Sequence, residues 1–192
     1  HGLSYEYIAS IMSNIIGKLA NKKVIVAHLG NGSSMCAMNN KRSVATSMGF
    51  SALDGLMMGT RCGSIDPGVL LYLLQEQHYS TESLSDLLYN KSGLLGVSGY
   101  SNDVRKLLPN SEALELYCYK AACEFGALTV SNSGCDALLF TAGIGENSAI
   151  IREKICLWLK HFGLELDIIA NKENKAIISA DHSKIVVAVI PT

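Results

Sequence analysis

Apolar residues recur along this chain with two different periods, and their alternation predicts both helices and strands. Residues 4–20 carry apolar side chains at intervals of three and four, which indicates a helix. The β-branched run from Lys23 to Leu29 predicts a buried strand. Asn31-Gly32 is a strong hairpin signal, and it connects this strand to a second one at Ser33–Met38. After another turn, Arg42–Ser47 completes a set of three antiparallel strands.

The remainder of the chain predicts several helices with a further strand among them. Asp66-Pro67 marks a helix start, because Asp can accept from free amides and Pro fits the first helical position. Residues 111–131 form the longest predicted helix, and Asp136–Thr141 reads as a buried strand before a helix at Ser148–Phe162. The other predicted segments are an irregular stretch at Met48–Ser64, helices from Pro67 to about Gln77 and at Ser80–Asn90, a loop at Ser92–Asn102, a helical turn at Asp103–Leu108, and strand-like runs at Lys175–Ser179 and Lys184–Ile190.

This order of elements predicts an α/β fold, in which a mixed sheet carries helices on both faces. The chain has 192 residues and no repeat or linker, so residues 1–192 suit a single domain or most of one. It begins with His1 rather than Met, and its last apolar run stops just before Thr192. We therefore expect a segment of a longer protein.

Composition narrows the classes of partner. The chain is 48% hydrophobic and 17% charged with a formal net charge of −1, so neither a nucleic-acid surface nor a membrane surface is expected. No apolar run approaches the roughly 20 residues of a membrane helix. The 6 cysteines form no C-x-x-C pair and suggest free thiols in a cytoplasmic protein, and no metal-ligating cluster is evident.

The segment from His28 to Gly32 lies at the tip of the first hairpin. Its glycines expose backbone N–H groups, and concave turns of this kind bind phosphate oxygens. A tight hairpin that binds nothing explains the same residues. The segment is not a Walker A loop, because no Lys follows its second Gly.

The segment Gly143-Ile144-Gly145-Glu146-Asn147 joins a predicted buried strand to a helix start. A Gly-rich turn there offers free amides at the carboxyl end of a strand, where α/β sheets bind ligands. Ser148 stands where a dinucleotide site needs Gly, so a mononucleotide is the better candidate. An ordinary strand-to-helix turn is the alternative.

Three further positions could carry chemistry. Arg61 lies among Gly, Met and small residues, and its planar guanidinium suits a phosphoryl group. It could instead pair with Asp54 or Asp66 as a structural residue. Asp103 and Arg105 begin a helical turn, which a helix start alone would explain. His1 could donate to a developing charge, although the sequence alone does not decide this.

Taken in order, these motifs closely resemble the acetate kinase family, which includes propionate kinases. The resemblance covers essentially the whole chain. Its opening residues His1 to Tyr5 are similar to the family's H-G-T-S-H, with Leu3 and Tyr5 replacing Thr and the second His. The motifs that carry it are Asn31–Ser34, Thr46–Phe50, Leu56–Arg61, Ile65–Pro67, Lys91–Gly99, Ser101–Asp103 and Phe140–Asn147.

The resemblance implies the acetate and sugar kinase/Hsp70/actin fold, built from two ribonuclease H-like domains. This chain would be most of the second, nucleotide-binding domain. By the same similarity, Arg61 and His1 would stabilise the transferring phosphoryl group. The nucleotide would be contacted by His28, Leu29, Gly30, Asn31 and Gly32 at its phosphates, by Asp103, Val104 and Arg105 at its nucleoside, and by Gly143, Ile144, Gly145, Glu146 and Asn147 on the other wall.

For the parent protein the resemblance implies reversible phosphoryl transfer from ATP to acetate, giving acetyl phosphate and ADP with Mg²⁺, in a homodimer. The residues that bind the carboxylate and the magnesium ion would lie outside this chain, which alone should bind nucleotide weakly and lack kinase activity. The open alternatives are a kinase for propionate or another short acid, an actin- or Hsp70-like nucleotide-dependent module, and a purely structural domain.

Overall fold

A five-stranded mixed sheet, with the strand order β3-β2-β1-β4-β5, organises the structure. We describe a computed structural model that covers residues 1–192. The pairs β1–β2 and β2–β3 are antiparallel, whereas β1–β4 and β4–β5 are parallel. This arrangement confirms the predicted mixed sheet. The strands are β1 (Lys23–Leu29), β2 (Ser33–Asn39), β3 (Arg42–Thr46), β4 (Ala137–Thr141) and β5 (Val186–Val189).

Helices cover both faces of this sheet, as predicted. One group precedes β1, and the others lie between β3 and β4 or between β4 and β5. The helices are α1 (Gly2–Ile11), α2 (Ser13–Ile16), α3 (Pro67–Gln75), α4 (Thr81–Asn90), α5 (Gly93–Ser98), α6 (Val104–Leu107), α7 (Glu112–Ser131), α8 (Ala142–Asn147), α9 (Ala149–Trp158) and α10 (Ile168–Lys172), with 3-10 turns at Gly17–Asn21 and Lys160–Phe162.

The alternation of side chains along β1 explains why two separate cores form. Ile25, Ala27 and Leu29 join a core of 29 buried residues that includes the inner sides of α7 and α9. Val24 and Val26 point the opposite way into a core of 13 buried residues beneath α1 and α2. Successive strand residues face opposite sides, so a strand buried on both faces reads as one continuous apolar run.

Three predicted boundaries were wrong. The helix expected over residues 4–20 is broken near Met12 and ends at Gly17, whose φ of 56° is left-handed. The loop expected at Ser92–Asn102 contains α5. Lys175–Ser179 forms no regular strand, and isolated bridges from Ile177 and Ser179 replace it.

Two further features concern the state of the thiols and the lengths of the helices. All of the cysteines are free. No helix of this structure combines the length and the apolar character that crossing a bilayer requires.

Candidate functional site

A cleft of about 650 Å³ lies at the edge of the sheet where β1 and β4 end. These two strands are parallel neighbours, so their carboxyl ends meet there. Both the position and the volume are typical of small-ligand sites in α/β proteins. The cleft is lined by Gly30, Asn31, Asn102, Asp103, Val104, Arg105, Leu108, Gly143, Ile144, Asn147 and Ser148.

The β1–β2 hairpin tip forms the first wall. The backbone N–H groups of Asn31 and Gly32 have no acceptor within the chain, so they can donate to an anion. The Asn31 carbonyl accepts from the Gly59 N–H at 2.9 Å, and its side-chain Oδ1 accepts from Asn102 Nδ2 at 3.1 Å. Residues remote in sequence are thereby held at one place.

Gly59 permits this contact because it has no side chain. A Cβ atom there would lie 2.1 Å from Asn31 Oδ1, which is far inside contact distance. The carbonyls of Met58 and Gly59 accept from Leu94 and Leu95 at the start of α5. The Gly- and Met-rich stretch that looked irregular in the sequence is therefore fixed by α5 on one side and by Asn31 on the other.

The start of α6 forms the second wall. The Asp103 carboxylate accepts from the Arg105 backbone N–H at 2.9 Å, and it also accepts from Arg105 Nε at 3.0 Å and Nη2 at 2.8 Å. These side-chain and backbone hydrogen bonds from Arg105 lower the pKa of Asp103 to about 2. The cleft therefore carries a fixed carboxylate beside an exposed guanidinium.

Helix α8 forms the third wall, and here the predicted Gly-rich turn proved to be helical. Ala142 enters it with a left-handed φ of 65°. The next helix is separate because Ser148 caps it by accepting from the Ile151 N–H at 3.4 Å. Glycine favours a turn on propensity alone, so tertiary contacts must hold α8 in a helix.

Those contacts come from Arg152, which is 1% exposed. Its Nη1 donates to the carbonyls of Gly145 at 2.8 Å and Glu146 at 2.9 Å. Its Nε and Nη2 donate to Asn171 Oδ1 and O at 2.8 and 3.0 Å. No carboxylate pairs with Arg152, so carbonyls near the carboxyl ends of α8 and α10 compensate its charge. Burial lowers the pKa of Arg152, but an arginine remains protonated in proteins.

A second group of donors converges on Gly32, at the far side of the hairpin tip. A Cβ on Gly32 would lie 3.0 Å from His1 Nε2 and 3.8 Å from Arg61 Nη1. Arg61 Nη1 donates to the Ala52 carbonyl at 3.2 Å, and no acidic side chain pairs with it. The alternative of a structural ion pair with Asp54 or Asp66 is therefore not found. We call His1, Gly32 and Arg61 the apical cluster.

His28 lies behind the apical cluster. Its ring centroid is 4.2 Å from that of His1, and its Nδ1 is 2.9 Å from Ser4 Oγ. Burial lowers the pKa of His28, so its imidazole is neutral near pH 7.

The candidate residues thus fall into three groups. Gly30, Asn31, Asp103–Arg105, Gly143, Ile144 and Asn147 line the cleft. Gly32, Arg61, His1 and His28 lie at or behind the apical cluster. The other three face elsewhere: the Leu29 side chain is in the core, Gly145 packs against Phe140 and the Ala27 carbonyl, and Glu146 Oε1 accepts from the Thr192 N–H at 3.0 Å.

Sequence reasoning missed three lining residues, namely Asn102, Leu108 and Ser148. Asn102 precedes Asp103 in the motif Ser101–Asp103, so the sequence could have indicated that it lies at the site. Leu108 and Ser148 carry no sequence signal of this kind, since a Leu and a helix-capping Ser are common for structural reasons alone.

The donor set does not fit a resident metal ion. No three His, Cys, Asp or Glu side chains lie close enough together to hold one. Glu146 bonds Thr192, and Asp103 is bound by Arg105.

The fold and the cleft are those of an α/β domain with a small-ligand-sized cleft at the carboxyl edge of its sheet. The family model described as the Acetokinase family matches residues 1–192, and the chain belongs to that family.

Known relatives agree with this assignment. An acetate kinase of Rhodopseudomonas palustris (strain TIE-1) is 51% identical over 200 residues, which cover 100% of this chain and 50% of the relative. The crystal structure of Porphyromonas gingivalis acetate kinase is similar, with a TM-score of 0.93, 37% identity and coverage of 100% of this chain and 51% of that one. A propionate kinase from Francisella tularensis subsp. tularensis SCHU S4 also gives a TM-score of 0.93, with 36% identity and the same coverage.

The chain spans about half the length of the relatives it matches. The likeness confirms the predicted family and the acetate and sugar kinase fold.

Proposed function

We propose that the complete protein catalyses reversible transfer of the γ-phosphoryl group of ATP to acetate, giving acetyl phosphate and ADP. The chain would supply most of the second, nucleotide-binding domain. One observation carries the proposal: the 650 Å³ cleft and the apical cluster lie on the two sides of one hairpin tip. A nucleotide in the cleft could therefore extend its phosphates past Asn31 toward Arg61.

Each wall has a role in this proposal. Asp103, Val104 and Arg105 contact the nucleoside, with Gly143–Asn147 opposite them. The free N–H groups of Asn31 and Gly32 donate to phosphate oxygens. His28 packs behind them against His1, and the buried Leu29 side chain anchors the hairpin tip to the core. Arg61 and His1 donate to the phosphoryl group during transfer. The acetate carboxylate is already a nucleophile, so the protein contributes alignment and charge stabilisation.

Magnesium enters the proposal only with the nucleotide. Because no residue cluster of this chain suits a metal ion, Mg²⁺ would arrive bound to ATP phosphates.

A kinase for propionate is the second candidate, which the resemblance to the Francisella tularensis propionate kinase favours. A hydroxamate assay on the complete protein would measure kcat/KM for acetate and for propionate. We expect acetate to give the higher value, and a higher value for propionate would contradict the proposed acid preference.

The same assay tests whether the protein is a carboxylate kinase at all. ATP turnover should depend on added carboxylate. Slow ATP hydrolysis that ignores carboxylate would instead indicate an actin- or Hsp70-like module. No shift of the melting temperature with Mg-ADP would indicate a purely structural domain.

We further propose that the complete protein forms a homodimer. Helix α3 supports this, because Val69 to Leu74 are all Val, Leu or Tyr, yet no residue of α3 is buried. Leu71 and Tyr72 are 54% and 53% exposed. Exposed apolar surface of this kind is typical of protein interfaces. Light scattering would give the mass, and Leu71→Asp with Tyr72→Asp should yield monomer.

We also propose a cytoplasmic location. The unpaired cysteines support a reducing compartment, since oxidising ones favour disulfides.

A further inference from the structure

His1 of the apical cluster forms a continuous hydrogen-bonded row with Ser34 and Tyr5. Ser34 Oγ lies 2.6 Å from His1 Nδ1 and 2.5 Å from the Tyr5 hydroxyl. Ser34 is fully buried on β2 and Tyr5 is 9% exposed on α1. Neither hydroxyl has another hydrogen-bond partner within the chain. The protons of the row can therefore be assigned by counting donors and acceptors.

The Tyr5 hydroxyl has one proton and Ser34 Oγ is its only acceptor. The Ser34 proton is then left with one acceptor, which is His1 Nδ1. The reverse arrangement, in which Nδ1–H donates to Ser34 and Ser34 to Tyr5, leaves the tyrosine proton buried without a partner. Such an unmade hydrogen bond is costly, so the first arrangement is favoured.

We propose that Tyr5 and Ser34 form a two-hydroxyl relay that holds His1 as the neutral tautomer protonated on Nε2, so that this nitrogen donates to the transferring phosphoryl group. Nε2 is the atom that lies over Gly32 beside Arg61. This inference rests on the proposed function, which assigns His1 to that group. Tyr5 and Ser34 are positioning residues, since they act through His1.

Burial raises the pKa of Tyr5, so its phenol remains a donor at working pH. His1 lines a pocket with Tyr5, Glu6, Cys36 and Lys41, and its ring also lies near His28 and Arg61.

The first test reads the tautomer directly in the complete protein. Imidazole ¹⁵N NMR distinguishes protonated from unprotonated ring nitrogens, and His1→Ala identifies the His1 signals. We expect Nε2 protonated and Nδ1 unprotonated near pH 7 without any ligand. A protonated Nδ1 in the wild type would overturn the relay, whatever reaction the protein catalyses.

The second test uses Tyr5→Phe, which removes one hydroxyl. Ser34 can then accept from Nδ1–H, so the wrong tautomer becomes available. We expect kcat at about pH 8 to fall about 10- to 100-fold, with less than about a threefold change in KM for ATP. Tyr7→Phe, on the exposed side of the same helix, is the matched control and should keep wild-type kcat.

A double-mutant cycle separates the relay from general packing. In a His1→Ala background, Tyr5→Phe should change kcat less than about twofold. An equal loss in both backgrounds would overturn the relay. If His1→Ala keeps wild-type kcat, the proposed role of His1 is wrong and the inference falls with it. If His1→Ala lowers kcat but Tyr5→Phe leaves it unchanged, the relay is wrong and the role of His1 stands.

Discussion

At the residue scale, the isolation of Arg61 is the most informative feature of the site. Its guanidinium donates to the Ala52 carbonyl and approaches Met58 Sδ, which leaves several N–H donors free. Asp54 accepts instead from Ser64 at 2.7 Å, and Asp66 caps α3 by accepting from Gly68 at 2.8 Å. A fixed arginine without an acidic partner can bind a planar anion without first breaking an ion pair.

We predict that Arg61→Ala in the complete protein lowers kcat by about 100-fold or more, because it removes donors to the charge that develops during transfer. The KM for ATP should change less than about threefold, since the cleft is unaltered. Arg61→Lys should recover only part of the rate, as it keeps the charge but not the forked donors. Arg42→Ala, at an exposed position, is the control and should keep wild-type kcat. Steady-state kinetics provide the measurement, and a wild-type kcat for Arg61→Ala would refute its role in phosphoryl transfer.

Asp103 gives a prediction about pH. Its pKa of about 2 lies below the ordinary value of about 3.9, so its ionised form is favoured by folding. The contribution of ionised Asp103 to the free energy of unfolding is complete above about pH 4 and is lost as pH falls toward 2. Asp103→Asn keeps a capping residue but loses the ion pair with Arg105.

We therefore expect Asp103→Asn to raise the KM for ATP several-fold, by a factor that stays constant between about pH 5 and pH 8. Asp86→Asn removes a comparable exposed ion pair outside the cleft and should leave KM unchanged. Initial rates across this range provide the measurement. A factor that varied with pH would mean that Asp103 titrates near neutrality.

At the scale of elements, α8 depends on a side chain from the helix that follows it. Arg152 binds the Gly145 and Glu146 carbonyls and also anchors Asn171 of α10. One buried guanidinium thus sets the position of a cleft wall. Removing it would leave several buried carbonyl groups without donors.

We predict that Arg152→Met lowers the free energy of unfolding by about 3 kcal/mol or more, because buried acceptors become unsatisfied. The KM for ATP should rise as α8 loosens. Arg152→Lys should fall between this variant and the wild type, since one ammonium cannot reach all the carbonyls. Lys154→Met on the same helix breaks only the surface ion pair with Glu115 and should cost about 1 kcal/mol or less. Denaturant melts of the three variants decide the matter, and equal stability of Arg152→Met and Lys154→Met would contradict it.

The elements that sequence reasoning found are those whose signal is local. The antiparallel hairpin follows from Asn31-Gly32, and β4 follows from a continuous apolar run. The elements it missed depend on distant partners: α5 donates to Met58 and Gly59, and α8 is held by Arg152. Periodicity carries no record of such contacts, so glycine-rich segments read as loops.

The residues of the candidate site also divide into those with a local sequence signal and those that depend on distant contacts. The motifs marked most of the segments around the cleft, because glycines and an isolated arginine are visible in a sequence. The contact of Asn31 with Asn102 and the row from Tyr5 through Ser34 to His1 join residues far apart in the chain. Only the folded sheet brings these residues together, so the sequence alone could not give their chemistry.

At the scale of the whole molecule, the chain forms a five-stranded sheet with a core on each face. A cleft of about 650 Å³ forms at the edge of this sheet. In the proposed function, by contrast, the residues that bind the carboxylate substrate lie in the other half of the protein. Binding of nucleotide and transfer of its phosphoryl group should therefore separate when the chain is produced by itself.

We predict that the isolated chain binds Mg-ADP weakly and makes no acetyl phosphate. Ligand that binds only the folded state adds RT ln(1 + [L]/Kd) to the free energy of unfolding, so a small rise in melting temperature should appear at millimolar Mg-ADP. Asn31→Ala should reduce the shift because it removes a cleft contact, whereas Asn14→Ala, at an exposed position of α2, should not. Acetyl phosphate in a hydroxamate assay of the isolated chain would show that this half contains the entire catalytic apparatus. A chain that folds but shows no shift would mean instead that the cleft needs the rest of the protein to bind nucleotide.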